Sequence, residues 1–538
     1  MIILIHPPVA KPCEPPAGIA RLSGMLAEHG VEHHLLDANL EGLLYLLKQS
    51  HTNTSISNLS FPLVGNPSEE RLRTSRSDKQ CSPGRTDDVW TKRAFRNIEQ
   101  NLSLMKDPAL YHHIDRYKRA VKDISRVLEK NSPHDIKIGL SNYEDQKRSP
   151  LRSRDLLMAT EKPELNPFYP YFRQRLEGLF KEKNPSVVGI SLNYLSQALC
   201  SFSMTGFIKK EFPALKVIMG GGLVTSWLKN PQWKDPFSGL VDNFVAGQGE
   251  HQLLSLLGIN TTKQRTVQPD YLSLPLDKYL SPGFILPYSA STGCYWNRCE
   301  FCPEKAEKNP YIPIPANQVI SDLKALIAET DPVLIHLLDN AISSAVLETL
   351  CKENTGVPWY GFARISPQLA DPDFCIALKK SGCVMLKLGI ESGDQGVLDA
   401  LQKGISVKQA SVVLKNLKKA GIATYVYLIF GTPVETENEA RKTLEFTVKH
   451  NKSIDFLNLA IFNMPICSET SEGIEKKGFY EGDLSLYTDF HHPHGWDRKH
   501  VRKFLENEFK KHPVISAIIK NDPLIFTSNH APFFVKGR

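Results

Sequence analysis

The sequence predicts two α/β units in tandem: a doubly wound parallel sheet with a helical insertion, then a partial barrel of six strand-and-helix repeats, followed by a small helical C-terminal region. Three observations carry this. Apolar runs of strand length alternate with helical periodicity; the rhythm breaks off after about residue 48 and resumes near 187; and from 284 a second series of repeats runs without a long break. The expected boundaries are 1–259 for the first unit, with the insertion at about 50–165, then 283–470 for the barrel and 471–538 for a region that caps it.

In the first unit, residues 2–6 are an apolar run ending in Pro7-Pro8, residues 18–29 have helical spacing that stops at Gly30, and 33–36 form a second strand leading into Asp37. The insertion is expected to hold polar, low-order stretches at 55–85 and 131–153 around one helical core at 88–130, largely solvated. Residues 187–193, 216–219 and 243–246 supply further strands, with helices running to 212 and 257. Continuous apolar strands separated by helices are covered on both faces, as in a parallel sheet. Ligands of such sheets sit beyond the carboxyl ends of the strands. Ser191, Gly220, Gly221, Gly222, Gly247 and Gly249 occupy those ends, and the glycines there let a bulky ligand approach the backbone closely. A plain tight turn at 220–222 is the alternative.

The barrel strands are expected at 284–289, 333–338, 359–363, 384–390, 424–430 and 456–462. Between them, Ser406 and Gln409 have capping-box spacing, Val407, Ala410, Val413, Leu414 and Leu417 mark one apolar helix face, and Gly421 sits where a C-terminal cap belongs. The chemistry of such barrels lies at the carboxyl-end loops, and the loop after the first strand holds three cysteines.

Composition narrows the classes. With 538 residues, 41% hydrophobic and 23% charged, the chain has the balance of a soluble globular protein. No apolar run reaches the roughly 18 residues of a membrane span, and the first residues lack the basic start and length of a signal peptide, so the chain is expected to be cytoplasmic. The net charge is +7, but residues 71–160 alone hold 20 Lys and Arg against 12 Asp and Glu. The excess is local to the insertion, which argues against a nucleic-acid partner. Ten cysteines in a chain this long are too few for a secreted disulfide framework.

Cys294, Cys299 and Cys302 fall within nine residues, in Thr292-Gly293-Cys294-Tyr295-Trp296-Asn297-Arg298-Cys299-Glu300-Phe301-Cys302-Pro303. Three thiolates on one loop can hold three irons of a 4Fe–4S cluster and leave the fourth open. A structural zinc site is the alternative, but it commonly uses two separated pairs and no second pair follows.

With these residues in place, the second half resembles a radical S-adenosylmethionine enzyme, and the first half resembles the cobalamin-binding domain that precedes the barrel in one large subgroup. The resemblance implies that an open iron chelates S-adenosylmethionine and that Phe301 packs on its adenine. It implies that Asp339, Arg364, Glu391 and Ser392 help hold the cofactor, and that the backbone around Ile429, in Leu428-Ile429-Phe430-Gly431-Thr432-Pro433, lies along the adenine. Arg364 offers a planar fork for a carboxylate, and Glu391 can accept from an ammonium or ribose. Two departures stand out. The first two cysteines are separated by four residues where the family usually has three, so the loop must bulge by one residue. No Asp-x-His-x-x-Gly motif is present, so cobalamin would bind without a histidine on cobalt, its nucleotide tail resting on Ser191 and the glycine turns at 220–222 and 247–249.

The expected function is formation of a 5′-deoxyadenosyl radical at the cluster, then cobalamin-dependent methyl transfer, or a rearrangement or cyclisation, on a small-molecule substrate. An electron donor such as flavodoxin or ferredoxin is implied. The alternatives are a radical enzyme without cobalamin and a nonenzymatic binding protein with structural metal at the cysteine loop. His491, His492 and His494 lie in a Pro/Gly loop and are expected to be solvated; Cys467 is expected to be a plain buried thiol, and Cys13, Cys81 and Cys200 are not expected to hold a second cluster.

Overall fold

The computed structural model describes residues 1–49, 88–259, 267–469, 474–477, 482–524 and 530–535. The stretch expected to be low-order at 55–85, with Cys81, lies outside the described residues. Five strands form the first sheet: β1 (Ile2–His6), β2 (His33–Asp37), β3 (Val187–Ser191), β4 (Lys216–Gly220) and β5 (Asn243–Val245). All neighbours are parallel, in the order β2-β1-β3-β4-β5. The chain leaves β1 on one side and returns as β3 on the other, and an open sheet of this order forms its ligand crevice at that reversal. Helices cover both faces, which is why every residue of β1 is buried and apolar until the closing histidine.

The insertion differs from expectation. The 88–130 region is three helices, Val89–Arg96, Ile98–Leu104 and Ile114–Lys130, and residues 131–153 contain an antiparallel hairpin pairing Ile136–Ile138 with Tyr143–Asp145. It is not merely a solvated appendage. Tyr117, Ala120, Val121, Ile124, Val127 and Leu128 fall on one helical stripe and join the same core as Leu43, Leu46 and Leu47. The basic residues decorate the opposite face, so the high charge conceals an apolar stripe.

The second sheet has six parallel strands in sequence order: β6 (Ile285–Tyr288), β7 (Leu334–Leu337), β8 (Trp359–Ala363), β9 (Cys383–Glu391), β10 (Ala423–Phe430) and β11 (Phe456–Ile461). The intervening helices are punctuated as the sequence suggests. The Ser406 hydroxyl accepts from the Gln409 N–H at 3.0 Å, and Gly421 closes that helix in the left-handed conformation, φ 74°.

The C-terminal region splits its contacts between the two ends of the barrel. Residues 530–535 pack against Ile285, Leu334, Met385, Ala423 and Phe456, closing the end where the strands begin, opposite the loops that carry the cysteines. The helix expected at 497–511 is an α-helix over Arg498–Phe504 that widens into a π-turn over Leu505–Phe509, and a further helix, Pro513–Lys520, follows. The Trp496 indole N–H and the Gly431 N–H both donate to one oxygen of Glu435, whose other oxygen has no partner among the described residues.

Burial pushes the Glu435 carboxyl up to about 7, against these two hydrogen bonds. A carboxyl raised in the folded state keeps its proton while the unfolded chain loses it, so stability falls as pH rises from about 4.5 to 7, by at most on the order of 3 kcal/mol. Glu435→Gln retains an oxygen for both donors and cannot ionise. Its melting temperature relative to the parent is expected to rise between pH 5 and pH 7.5; an unchanged difference would contradict the assignment.

Candidate functional site

The cysteine loop follows β6 and rests on a short hairpin in which Ser291–Thr292 pairs antiparallel with Ile312–Pro313. Gly293 turns with φ 70°, and a Cβ there would stand 2.4 Å from the Pro310 carbonyl oxygen, so only glycine fits. The base of the loop is pinned from β7. The Asp339 carboxylate accepts from the Ala290 N–H at 3.1 Å and the Ser291 hydroxyl at 2.5 Å, and the Asn340 amide donates to the Gly293 carbonyl at 3.3 Å.

Further along, the loop passes Asn297 in the left-handed conformation, φ 44°, and docks on the segment after the β9 helix. The Glu300 N–H donates to the Leu401 carbonyl at 3.1 Å, and the Trp296 indole N–H to the Gln402 carbonyl at 2.9 Å. The indole covers Gly404, where an added Cβ would meet the ring at 2.0 Å. A tryptophan inside the loop is thereby fixed against a glycine outside it.

Lys403 is the centre of the site. Its ammonium pairs with Glu391 at 2.7 Å and lies 5.4 Å from the centre of the Phe301 ring, while its carbonyl accepts from the Arg364 guanidinium. Arg364 in turn stacks on Trp296 at 4.3 Å and reaches the Cys299 sulfur at 3.9 Å. Glu391 sits at a bulge at the end of β9 with φ 68°, a strained conformation for a non-glycine residue that aims its carboxylate across the site. Phe301, Arg364 and Glu391 are therefore brought together beside the cysteines, linked by Trp296 and Lys403, which sequence reasoning did not single out.

The other expected cofactor residues are placed differently. Asp339 bonds the base of the cysteine loop and lines the cavity described below. Ser392 is fully buried, with its hydroxyl bonded to Thr443 at 3.2 Å and to the Asp394 N–H at 3.1 Å. Ile429 lies half-buried on β10.

Cys299 is buried and Cys294 and Cys302 are partly exposed. Burial pushes the Cys302 thiol up to about 11, and the other two cysteines of the loop push the same way. Burial raises Cys299 as well, against Lys403 and Arg364. Such thiols lose their protons when metal takes their place, and the two cations suit a site that gathers anionic sulfur. Among the described residues no three His, Cys, Asp or Glu side chains converge closely enough to hold a single ion.

Between the two sheets lies a cavity of about 840 Å³. On one wall are Ser191, Gly220, Gly221, Gly222, Gly247 and Gly249, at the carboxyl ends of β3, β4 and β5; on the other are Ser291–Gly293, Pro303, Glu304 and Leu338–Asn340 from the barrel. Gln248 bridges the walls with a 3.0 Å hydrogen bond to Thr292. The glycines do different work. Gly221 has φ 109° and a Cβ there would strike the Leu192 carbonyl at 2.4 Å, so its cause is local packing. A Cβ at Gly247 would meet nothing within 4 Å, and one at Gly222 nothing closer than 3.7 Å, so both open onto free space. His491 and His494 are exposed or nearly so, whereas His492 bonds the Thr432 carbonyl at 2.8 Å. Cys467 is partly exposed, with its thiol 3.6 Å from the Lys229 carbonyl.

Residues 288–447 match the model of the radical S-adenosylmethionine (radical SAM) superfamily. The chain carries a radical SAM domain. Domains of this kind use a 4Fe–4S cluster and S-adenosylmethionine, and the matched span contains the cysteine loop, Arg364 and Glu391. An uncharacterised methyltransferase of Pyrococcus horikoshii is 24% identical over 322 residues, 53% of this chain and 68% of that one. An anaerobic magnesium-protoporphyrin IX monomethyl ester cyclase of Rubrivivax gelatinosus is 27% identical over 186 residues, about a third of each chain. Among solved structures, the radical SAM methyltransferase TsrM of Kitasatospora setae superposes with a TM-score of 0.50 over 89% of this chain and 79% of that one, at 14% identity. This is a likeness of fold, and it spans both the doubly wound sheet and the radical SAM barrel. Among the described residues no helix is long and apolar enough to cross a membrane.

The buried Glu391–Lys403 pair offers a test within the radical SAM domain. Their side chains are only 11% and 9% exposed, so Glu391→Ala strands an ammonium and is expected to cost about 3–5 kcal/mol. The double variant Glu391→Ala/Lys403→Met is expected to recover most of that in denaturant titrations while still binding S-adenosylmethionine at least tenfold more weakly. Parental affinity in the double variant would make the pair purely structural.

Proposed function

We propose that this chain is a radical SAM methyltransferase that binds a 4Fe–4S cluster through Cys294, Cys299 and Cys302, and cobalamin in the cavity between its two units, and acts on a small-molecule substrate. A cluster on these thiolates would supply the electron for reductive cleavage of S-adenosylmethionine, the chemistry by which such an enzyme would reach an unactivated C–H bond. Cobalamin, when bound, supplies a carrier for the methyl group. The chain's residues do the positioning. The cysteine loop is held rigid by Asp339, Asn340 and the Trp296–Gly404 contact. Arg364 has a planar fork suited to the carboxylate of S-adenosylmethionine, Glu391 an acceptor for its ammonium or ribose, and Phe301 a face for its adenine.

The observation that carries the cobalamin reading is the cavity itself. Its glycine wall lies where an open α/β sheet binds ligands, its opposite wall is the base of the cysteine loop, and open space stands before Gly222 and Gly247. No His-to-cobalt ligand is proposed. The size of the cavity fits a large cofactor, and its position would bring that cofactor against the site of radical formation.

The experiment is anaerobic reconstitution with iron and sulfide, followed by incubation with S-adenosylmethionine, reductant and hydroxocobalamin. Expected are 5′-deoxyadenosine and a stoichiometric cobalamin spectrum retained after gel filtration. An intact cluster that yields no 5′-deoxyadenosine sinks the radical reading; 5′-deoxyadenosine without retained cobalamin leaves a radical enzyme whose first sheet is a scaffold.

A further inference from the structure

The inner face of the barrel changes character partway along its strands. Toward the closed end, Tyr360, Met385, Tyr425 and Phe456 are buried in one cluster with residues of the 530–535 segment. Toward the cysteine loop, the inward positions Phe362, Gly389, Tyr427, Ile429 and Asn458 are partly exposed, and Ala460, in mid-strand, is exposed. Their outward neighbours Leu388, Val426, Leu428 and Leu457 are buried in the core shared with the helices, so the accessible space lies inside the barrel. A barrel of this type fills its interior with layers of side chains; this one leaves the upper part hollow. Beneath the hollow is a self-contained polar chain. The buried Lys387 amine donates to His336 Nε2 at 3.0 Å, and His336 Nδ1 donates to Glu14, from the loop after β1, at 2.9 Å. A neutral imidazole with its proton on Nδ1 satisfies both bonds, so these groups serve one another.

The wall of the hollow is aromatic. Gly389 pairs with Tyr427 and stands one inward step beyond Lys387, the partner of Phe362. With no side chain at Gly389, the Phe362 and Tyr427 rings meet across β9, their centres 4.9 Å apart and their planes tilted by 58°. Two neighbours fix where this pair lies. A Cβ on Gly389 would stand 2.4 Å from Glu391 and 2.9 Å from the Lys403 ammonium, so the rings border the residues proposed to hold S-adenosylmethionine. Leu338, the inward position after His336 on β7, is a wall of the cavity between the two units, so the mouth of the barrel opens there. None of the six accessible inward residues is charged, and at their upper edge Glu391 and Lys403 are paired with each other.

We propose that Phe362 and Tyr427 form a shelf for the substrate, and that the substrate presents to it a flat, uncharged aromatic ring. The inference deepens the small-molecule enzyme reading above and rests on it for what enters the hollow. Two tilted rings offer a face and an edge, and a third ring can complete the pattern with its own edge or face, an attraction beyond area burial that a saturated ring of the same skeleton lacks. A charged group placed there would leave water without a free counter-charge to meet it. Asn458 supplies the one amide among the accessible inward side chains, enough to orient a ring that carries a single polar substituent. Ala460, opposite in size to the rings, leaves the space that such a ring would fill.

The test is calorimetric titration of the reconstituted full chain, under anaerobic conditions, with 1-naphthol and with its saturated analogue decahydro-1-naphthol. The parent is expected to bind 1-naphthol about fivefold more tightly than the analogue. Phe362→Leu keeps the wall apolar but removes a ring, and is expected to erase that preference while holding the affinity for the analogue within about twofold. Ala460→Phe fills open space instead of emptying packed space, so it is expected to keep the parent's melting temperature and to lose binding of both probes; it also serves if Phe362→Leu does not fold. Equal affinity of the parent for the two probes, no binding of 1-naphthol up to its solubility, an undiminished preference in Phe362→Leu, or parental binding by Ala460→Phe each overturns the proposal. The readout needs no radical chemistry. A chain that binds the probes as expected but forms no 5′-deoxyadenosine refutes the radical reading and not the shelf, and one that forms 5′-deoxyadenosine without the aromatic preference refutes the shelf alone.

Discussion

Cys302→Ala is expected to reduce the iron retained after anaerobic reconstitution from about 4 per chain to below 1, to remove the broad visible absorption of the cluster, and to abolish 5′-deoxyadenosine formation. The effect should be all-or-none because the three thiols share one loop, and a cube held by two of them has lost a third of its protein ligands. The loop itself should survive the substitution. Its base is held by Asp339 and Asn340 and its middle by Trp296, none of which depends on the Cys302 sulfur. Cys375 and Cys383 provide the control. Both are buried in the barrel, Cys375 donating to the Leu369 carbonyl at 3.2 Å, and their replacement by serine should leave the iron content unchanged. A parent protein that instead carries one zinc per chain, lost in the Cys302 variant, would show that the loop is a structural site and remove the proposed catalyst.

The strands of both sheets were legible because a doubly covered parallel strand is a short continuous apolar run, and few other environments demand one. The three cysteines were legible because nothing in a folded core requires three thiols in nine residues. What escaped notice was polar and dispersed. Lys403 and Trp296 join Cys299, Arg364, Glu391 and Phe301 into one cluster, yet they come from separate turns that only the barrel brings together. Lys387 and His336 did leave a trace: each interrupts an apolar run, in Leu386-Lys387-Leu388 and Ile335-His336-Leu337. A charge in such a run has either a buried partner or a function. Glu14, the partner, lies 322 residues from His336, and no local pattern links them. The insertion was misjudged for the opposite reason, since its basic composition outweighed the 3.6-residue stripe that anchors it to the core.

Gly222→Phe separates the cobalamin reading from its rival. Gly222 begins the helix Gly222–Lys229, has no positive φ, and donates its N–H to the Asn193 side chain at 3.0 Å, a bond that any residue can make. A side chain there starts 3.7 Å from the nearest other atom and enters the cavity, so the substitution fills ligand space without straining the backbone. Gly221, one residue earlier, would be a poor choice, because φ 109° and the Leu192 carbonyl at 2.4 Å would confuse misfolding with lost binding. The expected result is a melting temperature within about 2 °C of the parent, unchanged iron content, and hydroxocobalamin affinity reduced at least a hundredfold in spectroscopic titration, since about half of a phenyl ring's volume already exceeds the clearance a close-fitting cofactor leaves. The cysteine loop forms the opposite wall and is untouched, so 5′-deoxyadenosine formation should persist. If hydroxocobalamin binds the variant as tightly as the parent, it does not bind between the two sheets, and the cavity must be assigned to the substrate or to S-adenosylmethionine itself.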